Sequence, residues 1–486
     1  MVKILIDYDV SRSKGLIVSD YLPNIREYFS VEDKQQVFKR RFSVGYRPAT
    51  RKYAITPQGR FEPRLLCEIE TYLHNLQLSG TSVQITYTDL FRQKTTIPQL
   101  QDVIQQLNIP LRDYQEESIR ECLNYGSGIV LLPTSAGKTI VISTLCRSIQ
   151  AQFSVKQKAL ILVPDIQLVQ QTYGDFIEYG IPEDEITRWT GSHTPDFSKS
   201  IIIANSQILL SKKQDISVLK DIDILIIDEV HKCKASNTIN KIVKSIPAIF
   251  RYGFTGTMPV DQIDKWSIIG NLGKVVYAKK SVDLRNQKYI TQVNVGVICV
   301  NHRVLPKFTP ATAASPTAEY EEEITFLQEN KFRNETILKL VSKVEKNILI
   351  MVDRINHGEV LLKVLSELKD RQVFFVQGSV EIEEREKIRQ IMETSDNVVC
   401  VAISRIFSTG VNIRNLHYVV FASIGKAKIK IIQSIGRSLR LHASKKTAYI
   451  IDIADNLKYA LSHMRERLEL YSSESIKYTV KDIYEA

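Results

Sequence analysis

No uninterrupted apolar stretch of about 18 residues occurs in this chain, which excludes a membrane-spanning helix. The opening run, MVKILIDYDVSRSKG, is broken by Asp7 and Asp9 and so lacks the apolar core of a secretory signal. The six cysteines (Cys67, Cys122, Cys146, Cys233, Cys299 and Cys400) form no C-x-x-C pair and no Cys/His cluster at metal-ligand spacing. Neither a disulfide framework nor a structural zinc site is expected, and the thiols read as reduced and structural. Together with the missing targeting segment they predict a cytoplasmic protein. A repeat of roughly 20–50 residues is also lacking, which excludes solenoids and propellers.

What is present is the composition of an ordinary globular protein: 44% hydrophobic and 24% charged residues over 486 positions. That length predicts about three domains. Lys and Arg exceed Asp and Glu by a formal +11, a balance that fits either a polyanionic partner or simple solubility. The excess is local in one place. Between residues 34 and 64 nine basic residues, among them Arg40, Arg41, Arg47, Arg51 and Lys52, are opposed by Glu62 alone, with Phe38, Phe42, Tyr46, Tyr53 and Phe61 interleaved. Most of these aromatics read as core and the arginines as nucleic-acid contacts, although Phe38, Tyr46 or Phe61 could stack on or wedge apart a base pair.

Residues 1–100 read as a small α+β domain, with strand-like runs KILIDYD and VQITYT and a helix near 63–78. From Gln115 onward the pattern changes to short apolar runs alternating with amphipathic segments: GIVLL at 128–132, KALILVP at 158–164, SIIIAN at 200–205 and DILIID at 223–228. Such runs are buried parallel strands, and the helical stretches opening at Lys138 and at 166–179 make right-handed crossovers. After a loop at 305–318 the pattern restarts, with strands at 347–352, 372–377, 397–403, 417–422 and 447–453. The expectation is α/β: two doubly wound parallel-sheet lobes, 101–280 and 281–455, behind the N-terminal domain, with a closing helical tail at 456–486.

Three motifs carry chemistry. Leu132-Pro-Thr-Ser-Ala-Gly-Lys-Thr139 lies after a strand and before a helix, where backbone N–H groups and the helix N-terminus can cradle phosphate. Lys138 would reach the β/γ-phosphates and Thr139 would take a magnesium position. A G-K-T at a helix start also arises fortuitously, and Leu132 stands where the general pattern wants Gly. Asp228-Glu229-Val230-His231 ends a strand, where Asp228 could hold magnesium and Glu229 could polarise the attacking water; alone, such a pair is usually a solvated strand end. Two such motifs about 90 residues apart, each in the right setting, make an ATPase the expectation. In Gln433-Ser-Ile-Gly-Arg-Ser-Leu-Arg440 the arginines lie on one helical face, as a fork toward phosphate or as a solvated basic surface.

With these motifs in this order, residues 111–455 resemble a superfamily-two helicase. The resemblance implies two RecA-like lobes that hydrolyse ATP with Mg2+. Arg112 and Gln115 would read the adenine. Pro133, Thr134, Ser135, Ala136, Gly137, Lys138 and Thr139 form motif one, with Ser135 replacing the usual Gly. Pro164, Gln171, Thr190, Gly191, Ser206 and Gln207 would hold the nucleic-acid backbone in the first lobe, and Ser408 and Thr409 in the second. Gly410 and Asn412 complete motif five on the nucleotide side. Thr255, Gly256 and Thr257, with His231 and Gln433, would couple hydrolysis to movement, and Arg437 and Arg440 would act as fingers on the γ-phosphate.

Within that superfamily, LPTSAGKT, VFFVQGSVEIEER, IFSTGVNIRNLHYVVFA and IIQSIGRSLRLH are similar to phage fork-remodelling helicases. This implies a motor, monomeric in action and 3′-to-5′, in the host cytoplasm if phage-encoded, that unwinds DNA forks, branched duplexes and Holliday-type junctions and drives branch migration in recombination, repair or replication. The competing readings are an RNA helicase, a duplex translocase subunit of a restriction-type assembly, and a non-catalytic clamp. The last predicts damage at Lys138, Glu229 or Arg440, and all three are intact.

Overall fold

The computed structural model describes residues 1–9, 13–33, 36, 50–88, 104, 108–133, 136–191, 193–211, 217–287, 289, 292–304, 315–404, 413, 415–423, 447–473 and 476–485. Two compact units divide at 279/280.

The N-terminal region contains β1 (Val2–Asp9), β2 (Lys14–Val18), β3 (Ser30–Glu32), β4 (Arg51–Tyr53), β5 (Arg60–Phe61) and β6 (Val83–Tyr87). Four of them form a mixed sheet ordered β5-β2-β1-β6, while β3 and β4 pair separately. Because β1 and β6 run parallel, the chain between them must cross over. Helices Leu22–Tyr28 and Leu66–Leu78 lie in that crossover. Phe61 is core and not a stacking platform: a Cβ at Gly15 would lie 2.3 Å from its ring, so this glycine makes room for the aromatic.

In the first lobe β7 (Ser127–Leu131), β8 (Ala159–Val163), β9 (Ile186–Trp189), β10 (Ile201–Asn205), β11 (Ile224–Asp228), β12 (Phe250–Thr255) and β13 (Val275–Ala278) make an all-parallel sheet ordered β13-β7-β12-β11-β8-β10-β9. β8 and β10 are buried at every position, which matches their unbroken apolar runs. Three strands, β9, β12 and β13, escaped the sequence reading. In β12 the run is interrupted by Arg251, whose guanidinium is buried and donates to the carbonyls of Asn271, Ile246 and Val243 at 2.8, 2.6 and 2.7 Å.

The N-terminal region is not set apart from this lobe. Helix Gln262–Leu272, capped by Asp261 accepting from the amides of Ile263 and Asp264, is buried at every residue from Trp266 to Leu272. A helix buried all round needs cover on two sides. The first-lobe strands β7 and β12 supply one side, and β3 with the Pro63–Leu65 turn the other. Phe29 packs on Trp266 with ring centroids 5.1 Å apart, and one hydrophobic cluster runs from Ile4 through Leu73 to Leu272. Glu62 accepts from Lys14 at 2.7 Å and pairs with Lys244 of the lobe at 2.9 Å. Arg64 donates to the Ile249 carbonyl. The separate domain expected at 1–100 therefore shares a core with the lobe behind it.

The second unit holds β14 (Gln292–Asn301), β15 (Ile348–Val352), β16 (Gln372–Val376), β17 (Val398–Ile403), β18 (Tyr418–Phe421), β19 (Thr447–Asp455) and β20 (Lys477–Tyr484), all parallel, in the order β16-β17-β15-β18-β19-β14-β20. Two features correct the sequence reading. β14 precedes the 305–318 loop yet belongs to this sheet. The tail is a helix, Lys458–Ser473, followed by the edge strand β20, not a helix alone. β20 alternates polar and apolar residues and is exposed along nearly its whole length, so it carries no buried-strand signal. Both lobes are thus doubly wound parallel sheets, as expected, with a small mixed sheet at the N-terminus.

Candidate active site

β7 runs into Leu132 and Pro133, both buried, and helix Lys138–Gln150 starts at Gly137. Gly137 has φ +74°, and a Cβ there would lie 2.5 Å from the Gln115 side-chain nitrogen, so only glycine fits. Gln115 is buried and accepts from the Arg112 amide at 2.9 Å, which fastens the start of helix Asp113–Tyr125 beside the loop. Arg112 itself donates to the Tyr114 hydroxyl. The Lys138 ammonium is buried, donates to the Leu132 carbonyl at 3.4 Å and faces a Glu229 oxygen at 3.5 Å. Thr139 is half-buried on the first helical turn. Thr134 and Ser135 lie outside the described residues, and Ala136 is buried.

β11 delivers the acidic pair. Asp228 accepts from the Glu229 amide at 2.9 Å. Glu229 sits in the left-handed region (φ 51°, ψ 47°), a conformation that costs a non-glycine residue on the order of 1–3 kcal/mol and clusters at functional positions. From there one of its oxygens meets Lys138 while the other stands 3.3 Å from His231 Nδ1. His231 Nδ1 also lies 2.8 Å from Thr255 Oγ1. Since the Thr255 hydroxyl donates to the Thr257 carbonyl at 3.0 Å, its bond with His231 requires Nδ1 to be the donor. Lys138, Glu229, His231, Thr255 and Thr257 are therefore one connected chain across β7, β11 and β12. Gly256 is exposed beside it.

The remaining first-lobe candidates occupy the other half of the same sheet edge. Pro164 follows β8, Thr190 and Gly191 follow β9, and Ser206 and Gln207 follow β10, three neighbouring strands. Gln171 lies in the helix Ile166–Glu178 that β8 leads into. The Ser206 amide donates to the Val163 carbonyl at 2.9 Å, Thr190 Oγ1 lies 3.3 Å from His193 Nδ1, and Asn205 caps the amides of Gln207 and Ile208. The Asn205 side chain thereby holds the Ser206–Gln207 turn.

Arg51 and Lys52 sit on β4, and both have acidic neighbours that the count over 34–64 left out. Arg51 pairs with Glu27 at 3.0 Å and Lys52 with Asp33 at 3.0 Å. Arg60 likewise pairs with Asp9. The unopposed basic surface is smaller than the window count implied. Arg40, Arg41, Arg47, Ser408, Thr409, Gly410, Asn412, Gln433, Arg437 and Arg440 lie outside the described residues. Among the described residues no group of His, Cys, Asp and Glu forms a ready-made metal cluster, and no helix is long and apolar enough to cross a membrane.

Comparison with known proteins agrees with this layout. The family model "Type III restriction enzyme, res subunit" matches residues 108–260, and "Helicase conserved C-terminal domain" matches 333–442. The ATP-dependent DNA helicase uvsW of Enterobacteria phage T4 is 26% identical over 395 residues, 76% of each chain. The DNA 3′-5′ translocase XPB2 of Sulfurisphaera tokodaii is 24% identical over 74% of this chain and 84% of its own. Among solved structures, the Type ISP restriction-modification enzyme LlaBIII bound to DNA aligns with 86% of this chain and 34% of its own, at TM-score 0.57 and 15% identity, a likeness of fold. With a restriction-type motor domain matched on the first lobe and a helicase domain on the second, the chain belongs to the superfamily-two helicases and is an ATP-dependent enzyme.

Proposed function

We propose that this helicase acts on DNA, unwinding forked and branched duplexes with 3′-to-5′ polarity and driving branch migration. The observation that carries the reading is the similarity to the phage T4 helicase over three quarters of both chains, and it is supported by the sheet edge that brings Lys138 within 3.5 Å of Glu229. The XPB-type relative favours the same polarity.

Lys138 supplies the positive charge for the β/γ-phosphates, and Gly137 leaves the backbone bare for their approach. Gln115, wedged against Gly137, is placed to read the base together with Arg112. Asp228 and Glu229 end β11, with Glu229 3.5 Å from Lys138, and two adjacent carboxylates there fit a divalent cation entering with the nucleotide. Thr139 and Asp228 would hold Mg2+, which would offset phosphate charge as the terminal phosphoryl leaves. Glu229 orients the attacking water. On hydrolysis the Lys138–Glu229–His231–Thr255 chain is the route by which the loss of phosphate reaches Thr257. Arg437 and Arg440 serve as the phosphate fingers of the second lobe, Gly410 and Asn412 take part in nucleotide binding, and Gln433 takes part in coupling. Pro164, Gln171, Thr190, Gly191, Ser206, Gln207, Ser408 and Thr409 grip the strand, and the N-terminal arginines engage the junction.

A second reading is favoured by the restriction-type family match: a motor that tracks along duplex without separating it. Steady-state ATPase rates with single strand, linear duplex, forked DNA, a four-way junction and matched RNA, at one fixed salt concentration, decide between them. Preferential stimulation by forks and junctions, with strand separation that needs a 3′ overhang, is expected. Equal stimulation by plain duplex without strand separation selects the translocase reading, and stimulation by RNA sinks the DNA assignment.

A further inference from the structure

The second unit contains a cavity of about 300 Å3 that the motor reading leaves unused. It lies at the carboxyl ends of β15 and β18, which are hydrogen-bonded neighbours. From β15 the chain winds outward to β16 and β17 on one side, whereas β18 and β19 lie on the other. The crevice is thus the point where the strand order reverses, the place where doubly wound sheets take their ligands. Asp353 and Arg354 line it directly after β15, and Ser423 does so after β18. Tyr320, Ile324 and Gln328 close it as one stripe of helix Pro316–Glu329, spaced four residues apart.

The lining argues against an anion. Arg354 is already held by both oxygens of Glu321, at 2.6 and 2.8 Å, and the Asp353 carboxylate stands beside it. What remains is an aromatic ring, an aliphatic side chain, the buried His357 imidazole and hydrogen-bonding groups of both senses: an acceptor in Asp353, an amide in Gln328 and a hydroxyl in Ser423. Ser423 is buried, and among the described residues its Oγ has no hydrogen-bond partner. A buried hydroxyl without a protein partner is satisfied by water, an ion or a ligand, and here it faces the crevice.

The geometry points to a nucleobase pocket in the second lobe: a flat, neutral heteroaromatic ring lies against Tyr320 and Ile324, with its polar edge on Asp353, Gln328 and Ser423. The ligand is either a single unstacked base of the bound strand, which rests on the motor reading, or a free nucleoside, which does not.

The test uses the full chain. Binding of the four free nucleosides is measured by calorimetry and that of four homopolymer single strands by fluorescence anisotropy, for the wild type, Asp353→Asn and Ser423→Ala. Gln328→Ala, at a half-buried site, replaces Ser423→Ala if that variant is not folded by thermal melting. At least one nucleoside or homopolymer is expected to lose about tenfold in affinity in the variants, flattening the preference among bases. Loss confined to homopolymers identifies a base of the strand, and loss with nucleosides identifies a free ligand. Unchanged affinities throughout, or no base-dependent binding at all, overturn the proposal. A chain whose ATPase ignores every nucleic acid yet binds a nucleoside through these residues would lose the motor reading and keep the pocket.

Discussion

Lys138 and Glu229 are held against each other at 3.5 Å in a buried setting, so removing either leaves the other charge poorly matched. Lys138→Ala should lower ATP turnover by about a hundredfold or more, as loss of a positioned phosphate donor does, while strand binding by anisotropy changes little. Retained turnover in that variant would remove the phosphate role of this loop. Gly137→Ala tests the same place by shape: with φ +74° and Gln115 in the way of a Cβ, it should weaken nucleotide affinity by about tenfold in a fluorescent-nucleotide titration. These residues were legible because their types and spacing are dictated by phosphate chemistry. The partnership of His231 with Thr255 was not, since it joins residues 24 apart that meet only because β11 and β12 are adjacent. Nor could a count of charge between residues 34 and 64 foresee Glu27, Asp33 and Asp9, which come from the helix Leu22–Tyr28, the residue after β3 and the end of β1.

At the scale of elements, helix Gln262–Leu272 joins two sheets, and Trp266 is its largest buried side chain. Trp266→Ala should cost about 3–5 kcal/mol in urea unfolding, and a loss below 1 kcal/mol would show that the shared core is slack. Glu62 at the same junction titrates unusually. Burial alone would raise its carboxyl above the ordinary 4.5, but the nearby Lys244 and the hydrogen bond from Lys14 outweigh it and the value is lowered. A carboxyl depressed in the folded state contributes stability that is complete above its unfolded value and is lost as pH falls through the folded one. The gap in thermal midpoint between the wild type and Glu62→Gln should therefore be largest near neutral pH and close as pH drops below about 4. A gap independent of pH would mean that the pairing contributes nothing. Elements with unbroken apolar runs, such as β8, β10 and β15, were readable from sequence. β12 was hidden by Arg251, and β20 by its exposure, because both depend on partners outside the strand: three carbonyls for the one and the edge of β14 for the other.

For the molecule as a whole, the chemistry of the nucleotide edge was recoverable from motifs, but how the first hundred residues are mounted was not, since a domain boundary has no motif. Their mounting has a consequence for handling the protein. If a protease cut the chain between residues 88 and 108, the N-terminal fragment would stay bound through the packing of Phe29 on Trp266 and the pairing of Glu62 with Lys244. The nicked species would elute as a single peak on size exclusion, and two bands would show only on a denaturing gel.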